Sequence, residues 1–507
     1  MTPHALQMAP VAVRVDGAVL AGRAAARLES VLVQQRLSMP AMCELGFSVS
    51  GDDREQEVPI WPGASLRLDL RGDPISLFSG QVTAVEYVYQ PSIGHEVRVR
   101  AYDALHALRK RQPVRAHVQV TLEALARELV GDLGLAVETT DPGPVWQRLI
   151  QHAQSDLDLL TELAARCGRY LVVREETLHL VTLEGVGDAL PLRLGESLLE
   201  ARIEVNTDPA CRSVTAMAWD PSRIETFQAT ADRARAGRPG LNEAAPDRLG
   251  APGLRTLADG IATGEEQVAA AAQAELDVRV AREIVLRGLA SGDARLRPGA
   301  RVEIAGVAAP FAGEYVLTGA RHTIDPRRGY LTEIFSDPPQ VTSRARGAVA
   351  AFGIVTRIDD PEELGRVRVK LPTYGDLETE WMGVLTPGAG TGKGLVTLPD
   401  VGDQVLVLFA QGDPVSGVVL GGLYGVGAPP DSGLADGVIA RYTLLTPGRQ
   451  RVQLDDARKL LRVENSEGSY VELSPGRVIL HAETDLLIEA PGRRIEIQGQ
   501  AIDFQRR

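Results

Sequence analysis

The segment from Pro387 to Gly394, PGAGTGKG, is the part of the sequence whose spacing comes nearest to a nucleotide-binding motif. In a phosphate-binding loop, backbone N–H groups and a lysine contact the phosphates, and a Ser or Thr after the lysine binds Mg²⁺. Here Pro387 stands where the motif needs its first glycine, and Gly394 stands after Lys393, where the hydroxyl is needed. We therefore predict a flexible loop around Lys393 and no nucleotide binding.

The other candidate catalytic and metal-ligating residues lack a workable spacing. Cys43, Cys167 and Cys211 share no C-x-x-C pattern, and residues 46–51, GFSVSG, do not have the spacing of a nucleophile elbow. The acidic cluster 359–363 falls where a solvated turn is expected. No two histidines form an H-x-H or H-E-x-x-H pair; they are His4, His95, His106, His117, His152, His179, His322 and His481. We predict no enzymatic activity, no cofactor and no metal site.

The composition predicts a mainly β protein with several domains. A chain of 507 residues with 44% apolar content can form three to five compact units, each with its own core. Only 4% of residues are aromatic, whereas 51 are Gly and 31 are Pro. Such a balance favours many short strands and turns over helical packing.

The charge and the apolar pattern exclude some partners. A net charge of −13 argues against a nucleic-acid binder, whose affinity comes from Lys and Arg on phosphates. No run of 18 apolar residues occurs, and the N-terminus lacks a basic segment followed by an apolar one. We expect synthesis in the cytoplasm without a signal peptide, with no membrane span and with reduced cysteines.

Helices are predicted at three places among the strands. Thr121 precedes an amphipathic helix as its cap, and Ser155 with Asp158 forms the sequence pattern of a capping box. An Ala-rich helix is predicted over residues 267–284. The stretch 229–256 shows no periodicity and is predicted to be an exposed loop.

A short internal repeat indicates two related barrels. Pro62–Ala64 precedes an alternating strand and then Phe78–Gly80, while Pro298–Ala300 precedes another strand and then Phe311–Gly313. Because short β motifs also recur by chance, the duplication rests on the matching order of these elements.

A hairpin is predicted between residues 397 and 424, as part of a small β-barrel. Val405, Val407 and Phe409 alternate along the first strand, and the second strand is predicted from Val415. Glycine supplies unusual φ values in the turns and aspartate caps them. The turn residues of this barrel motif are Gly402, Asp403, Gly412, Asp413 and Pro414.

The last seventy residues form a ladder of seven predicted short strands, spaced seven to ten residues apart. One chain alone would leave their edges and apolar faces exposed, so we predict three chains wrapped around a threefold axis. The predicted strand pairs are Val452/Leu454, Leu461/Val463, Val471/Leu473, Val478/Leu480, Leu486/Ile488, Ile495/Ile497 and Ile502/Phe504. The predicted trimer core is Val471, Leu473, Val478, Leu480, Leu486, Ile488, Ile495 and Ile497; Ile502 and Phe504 are the predicted docking residues for a tip.

Two regions resemble spike proteins of contractile injection machines, the family that includes VgrG proteins, phage tail spikes and the spikes of extracellular injection systems. In the hub, the matching residues are Val97–Asp103, the helix at 121–130, Gln151, Ser155, Asp156, Leu160, Leu163, Ala164, Gly168, Tyr170, Arg297–Gly299, Phe311, Gly313 and Tyr315. In the oligonucleotide/oligosaccharide-binding (OB) type barrel they are Gly353–Val355, Leu364–Val369, Trp381, Gly388–Gly394, Leu398, Pro399, Gly421, Gly422 and Tyr424, with the barrel motif.

The resemblance implies a fold of tandem hub β-barrels with small helical insertions, an OB-type barrel and a C-terminal trimeric β-helix or prism. The predicted domains are a first hub barrel (1–105), a helical and mixed insertion (106–195), a second hub barrel with a long loop and helix (196–340), a linker (341–350), the OB-type barrel (351–428), a linker (429–440) and an intertwined β-helix spike (441–507).

The implied function is structural: a homotrimeric plug at the tube end that joins tube and baseplate and carries a separate PAAR-like tip protein. Effector cargo is a further expected partner, and the target membrane would be contacted only on firing. A single chain with a short needle fits an extracellular system, with a type VI VgrG or a phage tail spike as alternatives. A glycan- or cell-wall-binding module is the alternative of another class, which the low aromatic content disfavours.

Overall fold

The structure is a computed structural model that describes residues 11–49, 58–90, 94–220, 225–238, 246–250, 253–340, 347–425 and 427–505. The N-terminal segment on which the signal-peptide prediction rests lies almost wholly outside these ranges. Within them the protein is mainly β, as the composition predicted. The chain divides into two compact units, which are described in turn: residues 1–401 with 407–420, and residues 402–406 with 421–507.

The first hub barrel is built from antiparallel strands in the spatial order β3-β4-β7-β6-β5-β1-β2. Alternate residues of these strands, such as Val33, Leu45 and Val99, are fully buried and form its core. Its elements are β1 (Val11–Val15), β2 (Ala18–Val19), α1 (Gly22–Ala26), β3 (Leu28–Arg36), β4 (Met42–Val49), β5 (Ser65–Leu70), β6 (Ser76–Gln90) and β7 (Gly94–Tyr102).

The insertion packs two capped helices against short strands, as predicted. The Thr121 hydroxyl accepts a hydrogen bond from the Ala124 N–H at 3.2 Å, and Ser155 with Asp158 forms a reciprocal capping box. The elements are α2 (Leu105–Arg109), β8 (Arg115–Val120), α3 (Leu122–Val130), β9 (Ala136–Thr139), β10 (Trp146–Gln151), α4 (Asp156–Arg166), β11 (Tyr170–Arg174) and β12 (Thr177–Val181).

The second hub barrel continues the sheet of the first, because β21 pairs antiparallel with β3, with His322 opposite Val33. The prediction of an exposed loop over 229–256 is wrong at both ends, where β16 and β17 pair with β15. The elements are β13 (Val186–Arg193), β14 (Leu198–Val205), β15 (Ser213–Asp220), β16 (Glu225–Ala231), β17 (Leu254–Ile261), α5 (Glu265–Ala281), β18 (Ile284–Ser291), β19 (Ala300–Ala305), β20 (Gly313–Val316), β21 (Gly319–Asp325) and β22 (Gly329–Phe335).

The predicted duplication is visible in the backbone hydrogen bonds of the two barrels. The Gly63 N–H donates to the Val82 carbonyl at 2.8 Å, and the Gly299 N–H donates to the Leu317 carbonyl at 2.7 Å. Both glycines have positive φ, 98° and 80°, a conformation that glycine adopts at little cost. The Pro-Gly-Ala motif therefore makes the same turn before a barrel strand in each copy.

The OB region has six strands: β23 (Val349–Arg357), β24 (Arg368–Leu371), β25 (Leu377–Glu378), β26 (Gly383–Val384), β27 (Gln404–Phe409) and β28 (Gly417–Gly422). The predicted start of the second hairpin strand at Val415 is wrong by two residues, because Pro414–Ser416 form a 3₁₀ turn. Proline fixes φ at the first position of this turn, which favours the helical conformation there over a strand.

The second unit contains a five-stranded antiparallel meander in the order β31-β32-β33-β34-β35. Its strands are β29 (Leu434–Ala435), β30 (Val438–Ile439), β31 (Arg441–Leu445), β32 (Arg451–Asp455), β33 (Leu460–Glu464), β34 (Tyr470–Ser474) and β35 (Arg477–His481). Four of the seven predicted ladder steps are strands. The other three, 486–488, 495–497 and 502–504, form no strand among the described residues of this chain, and their pairing with strands of other chains stays a prediction.

The predicted domain boundaries stay predictions. The strands β29 and β30 lie inside the interval 429–440 that was predicted as a linker, and β23 begins at Val349, before the predicted start of the OB barrel. Most of the other predicted linker, residues 341–346, lies outside the described residues.

Candidate functional site

One face of the β31–β35 sheet carries two rows of apolar side chains. Residues directly opposite each other in an antiparallel sheet share a face, so the strand register defines these rows. The first row runs Leu444, Val452, Val463, Val471 and Leu480, and the second runs Tyr442, Leu454, Leu461, Leu473 and Val478. We call these ten residues the apolar face; nine of them are exposed in the single chain.

The opposite face of the same sheet is polar and internally paired. Arg462 contacts the carboxylates of Glu464 and Glu472, both at 3.1 Å, and its guanidinium lies over the ring of Tyr470. Thr443 and Gln453 continue this face on the neighbouring strands. The sheet is therefore amphipathic, and the side that lacks partners is the apolar one.

The structure brings half of the predicted trimer core together. Val471, Leu473, Val478 and Leu480 lie on the apolar face, with Val478 71% exposed. Leu486, Ile488, Ile495 and Ile497 lie beyond the last strand, exposed and outside the sheet; their role stays a prediction. Sequence reasoning missed Tyr442 and Leu444 on β31, although they alternate as the ladder residues do.

The predicted tip-docking residues lie at the end of the described chain. Ile502 and Phe504 are both exposed, and Phe504 is 90% exposed, in a segment without strand structure. A free apolar pair of this kind is a candidate contact for a partner, but the tip assignment stays a prediction.

The barrel-motif residues have the turn geometry that the sequence predicted. Gly402 and Gly412 have φ of 92° and 69°. The Asp413 carboxylate accepts a hydrogen bond from the Val415 N–H at 3.0 Å, and the buried Pro414 begins the 3₁₀ turn. Asp403 directly precedes β27.

The Lys393 loop closes on itself as a tight turn. Gly390 and Lys393 exchange two backbone hydrogen bonds of 3.1 Å, and Lys393 is exposed. The residues after Gly394 form no helix, whereas a phosphate-binding loop leads into a helix N-terminus. The absence of nucleotide binding remains a prediction.

Asp360 stabilises the acidic turn at residues 359–363, which was predicted from the sequence to be a solvated turn. Its carboxylate accepts backbone N–H bonds from Glu362 and Leu364 and a forked bond from the Arg366 guanidinium, at 2.6 and 2.9 Å. Asp360 is only 8% exposed. The Arg366 guanidinium holds the pKa of Asp360 well below its usual range.

Asp360→Asn is therefore expected to lower the free energy of unfolding by about 1–3 kcal/mol at pH 7, because donors buried around the carboxylate lose their charged acceptor. Since the folded-state pKa is depressed, this contribution is complete above the unfolded pKa of about 4 and is lost as the pH falls further. Urea unfolding at several pH values measures both effects. Asp359→Asn, at the exposed pair with Arg357, is the control and should change little.

A buried arginine joins the insertion to the OB region within the first unit. Arg148 of β10, with a side chain 13% exposed, contacts the Glu380 carboxylate and the Glu378 carbonyl. Arg368 contacts Glu380 from the barrel side at 3.1 Å, and its guanidinium lies over the ring of Trp381. This network fixes the orientation of the barrel strands on the hub.

Among the described residues, no helix combines the length and apolar character needed to cross a membrane. In the same residues, no group of three or more His, Cys, Asp or Glu side chains is placed to hold a metal ion. All three cysteines are buried and free, and burial raises the pKa of Cys167 to about 12.

Two family models match the sequence. One, described as the type VI secretion system/phage-baseplate injector OB domain, matches residues 351–424. The other, described as the Alg8 N-terminal domain, matches residues 8–326, which is more than half of the chain. A search of the curated proteins found no match.

Several solved structures share the fold. A chain of the Francisella PdpA-VgrG complex is 9% identical, with 94% of this chain and 80% of that chain covered and a TM-score of 0.56. A type VI secretion component of E. coli, described as similar to the T4 tail proteins gp27 and gp5, is 14% identical, with coverage of 78% and 96% and a TM-score of 0.50. The 43 kDa tail protein of prophage MuSo2 from Shewanella oneidensis is 16% identical, with coverage of 64% and 97% and a TM-score of 0.50.

At these sequence identities, the solved structures show only that the fold is similar. The assignment to a family rests on the family models. The chain belongs to the Alg8 N-terminal domain family, and its residues 351–424 match the injector OB domain of type VI secretion systems and phage baseplates.

Proposed function

We propose that this chain is a VgrG-like spike of a contractile injection machine and that it works as a homotrimer, which closes the end of the inner tube, seats in the baseplate and carries a separate tip protein. The observation that carries the proposal is the apolar face of the β31–β35 sheet. Three such faces packed around a threefold axis would be buried from water. The polar faces, with Arg462 and the carboxylates of Glu464 and Glu472, would face the solvent.

The free energy gained by burying the apolar face favours association of the chains. Full burial of a Val or Leu side chain contributes about 1.5–3 kcal/mol, so burying the remaining exposed half of each contributes about half as much. The apolar face has eight exposed Val or Leu positions in each chain, together with the exposed Tyr442. The segment after β35, with Leu486, Ile488, Ile495 and Ile497, would gain strand partners from the neighbouring chains in the same assembly.

The proposed mechanism is mechanical and involves no covalent step. The force of contraction would pass from the hub to the OB barrel. The charge-assisted hydrogen bonds of Arg148 and Arg368 to Glu380 would connect these two parts. Two related hub barrels in each of three subunits would present six similar positions, which fits a sixfold tube to a threefold spike.

We place the chain in a phage tail-like particle assembled in the bacterial cytoplasm, with tube and baseplate proteins as partners, a PAAR-like protein at the tip and effector cargo. Contact with the target membrane would occur only on firing.

The expected molar mass tests the assembly directly. Light scattering of the purified protein is expected to give three times the 54.4 kDa of one chain. Affinity purification from cells that express the neighbouring genes should recover tube and baseplate proteins with it. A monomer at micromolar concentration would contradict the trimer, and purification without any tube or baseplate protein would contradict the place in the particle.

A further inference from the structure

A cavity of about 530 Å³ in the hub is lined by strands of the first barrel, the end of β11 and the loop 294–298 between β18 and β19 of the second barrel. Two arginines, Arg174 and Arg297, lie in its wall and are partly shielded from water. The cavity therefore lies where three parts of the hub meet.

Neither arginine has a carboxylate partner among the described residues. Arg174 makes one hydrogen bond, from Nη2 to the Pro298 carbonyl at 3.1 Å, and its buried Nε has no acceptor. The guanidinium of Arg297 forms neither a salt bridge nor a hydrogen bond with any described residue, and only the backbone carbonyl of Arg297 accepts a bond, from the Ala300 N–H at 3.0 Å. Two other shielded arginines reach carboxylates, Arg148 at Glu380 and Arg366 at Asp360, whereas Arg238 donates to backbone carbonyls.

The electrostatics of the pair are unfavourable without a counter-ion. Burial, together with the charge of Arg297, lowers the pKa of Arg174 to about 10. Burial also lowers the pKa of Arg297, although Glu175 and Asp73 act in the opposite direction from a distance. The two guanidinium groups thus carry like charges in a partly desolvated cavity, whose wall also holds the carboxylates of Asp103, Glu175 and Glu176.

The local backbone supports this placement. Gly299 has a φ of 80°, and a Cβ at this position would lie 3.1 Å from Arg174 Nη2. Because Gly299 has no Cβ, the Arg174 guanidinium has room to lie beside the loop and to donate to the Pro298 carbonyl. The Nε of Arg174 has no protein acceptor.

We propose that Arg174 and Arg297 form a binding site for a small oxyanion with two negative charges, of the phosphate or dicarboxylate class. A planar guanidinium presents a fork of N–H donors that matches two oxygens of such an ion, and the second arginine supplies the remaining charge. The bound ion would connect β11 to the loop between β18 and β19 and so link the insertion to the second barrel.

Isothermal titration of the purified full-length protein with sodium phosphate, and separately with sodium malonate, tests the site. Arg297→Gln removes one cation and is expected to weaken binding of the preferred ion by about tenfold or more. Arg295→Gln is the matched control, because Arg295 is exposed and paired with Asp293 only two residues away; its affinity should equal that of the wild type. Binding of phosphate alone or of malonate alone identifies the class of ion.

Thermal unfolding gives a second readout that does not depend on a measurable heat of binding. Phosphate or malonate should raise the Tm of the wild type above that in sodium chloride of equal ionic strength. In chloride alone, Arg297→Gln should melt at or above the wild-type temperature, because like-charge repulsion is relieved. A wild type stabilised no more by either oxyanion than by chloride would overturn the proposal. So would an Arg297→Gln variant that binds as the wild type does, or one that melts well below it in chloride.

Discussion

Val478→Asp is expected to convert the proposed trimer into monomers at micromolar concentration. Val478 lies on the apolar face and is 71% exposed in the single chain, so a carboxylate there is tolerated by the isolated fold. In the proposed trimer the same position is buried in three copies. Burying an unpaired carboxylate costs several kcal/mol or forces water into the interface, and three copies repel one another.

Arg477→Asp is the control for this variant. Arg477 is the preceding residue of β35, points to the polar face and makes no salt bridge with a described residue, so the same side chain is introduced one position away on the other side of the sheet. Arg477→Asp should leave the trimer intact, although it changes the net charge of the chain more than Val478→Asp does. Light scattering at several concentrations separates the two results. Two variants with equal mass, whether trimeric or monomeric, would show that the apolar face does not govern assembly.

Ile488→Asp distinguishes the sheet from the segment beyond it. The structure places Ile488 outside any strand, so its importance depends on partners from other chains. Loss of the trimer in both Ile488→Asp and Val478→Asp would mean that the needle is one continuous interface; loss in Val478→Asp alone would confine it to the sheet.

Local signals in the sequence predicted the fold where the determinants are themselves local. Caps at Thr121 and Ser155 fix helix starts through hydrogen bonds three residues away, and glycines at 63 and 299 fix equivalent turns. The pairing of β21 with β3, by contrast, joins residues almost 300 positions apart and leaves no local pattern. Likewise, β16 and β17 are stabilised by pairing with β15 and not by alternation of their own.

The candidate site was predicted in part, for a similar physical reason. Alternation located the ladder residues from Val452 to Leu480, because period-two patterns identify a one-sided strand. It did not identify the role of Asp360, whose partner Arg366 is brought close by the turn, or the cavity with Arg174 and Arg297, which depends on packing between distant segments. The last three ladder steps have the strand pattern without a strand partner in the chain. Whether other chains supply strand partners for this segment stays a prediction.

Deleting residues 500–507 is expected to leave the trimer intact and to abolish recruitment of the tip protein. The deletion removes Ile502 and Phe504, which are exposed and belong to no strand, while the whole apolar face of the sheet remains. In a trimer these residues would present three copies of an apolar pair at the end of the needle, together with unpaired backbone groups. A cap protein would shield both.

The deletion should be compared with Ile502→Asp/Phe504→Asp, which keeps the length and backbone of the segment. Both variants are expected to keep the trimer mass by light scattering and to lose the PAAR-like protein in a pull-down with the wild-type spike as reference. The charge variant isolates the apolar contact from the backbone contact, because only the deletion removes both. If the truncated trimer recovers the tip protein as efficiently as the full-length spike, the docking surface lies elsewhere on the needle. If only the double substitution recovers it, the backbone groups of the segment carry the attachment without the two side chains.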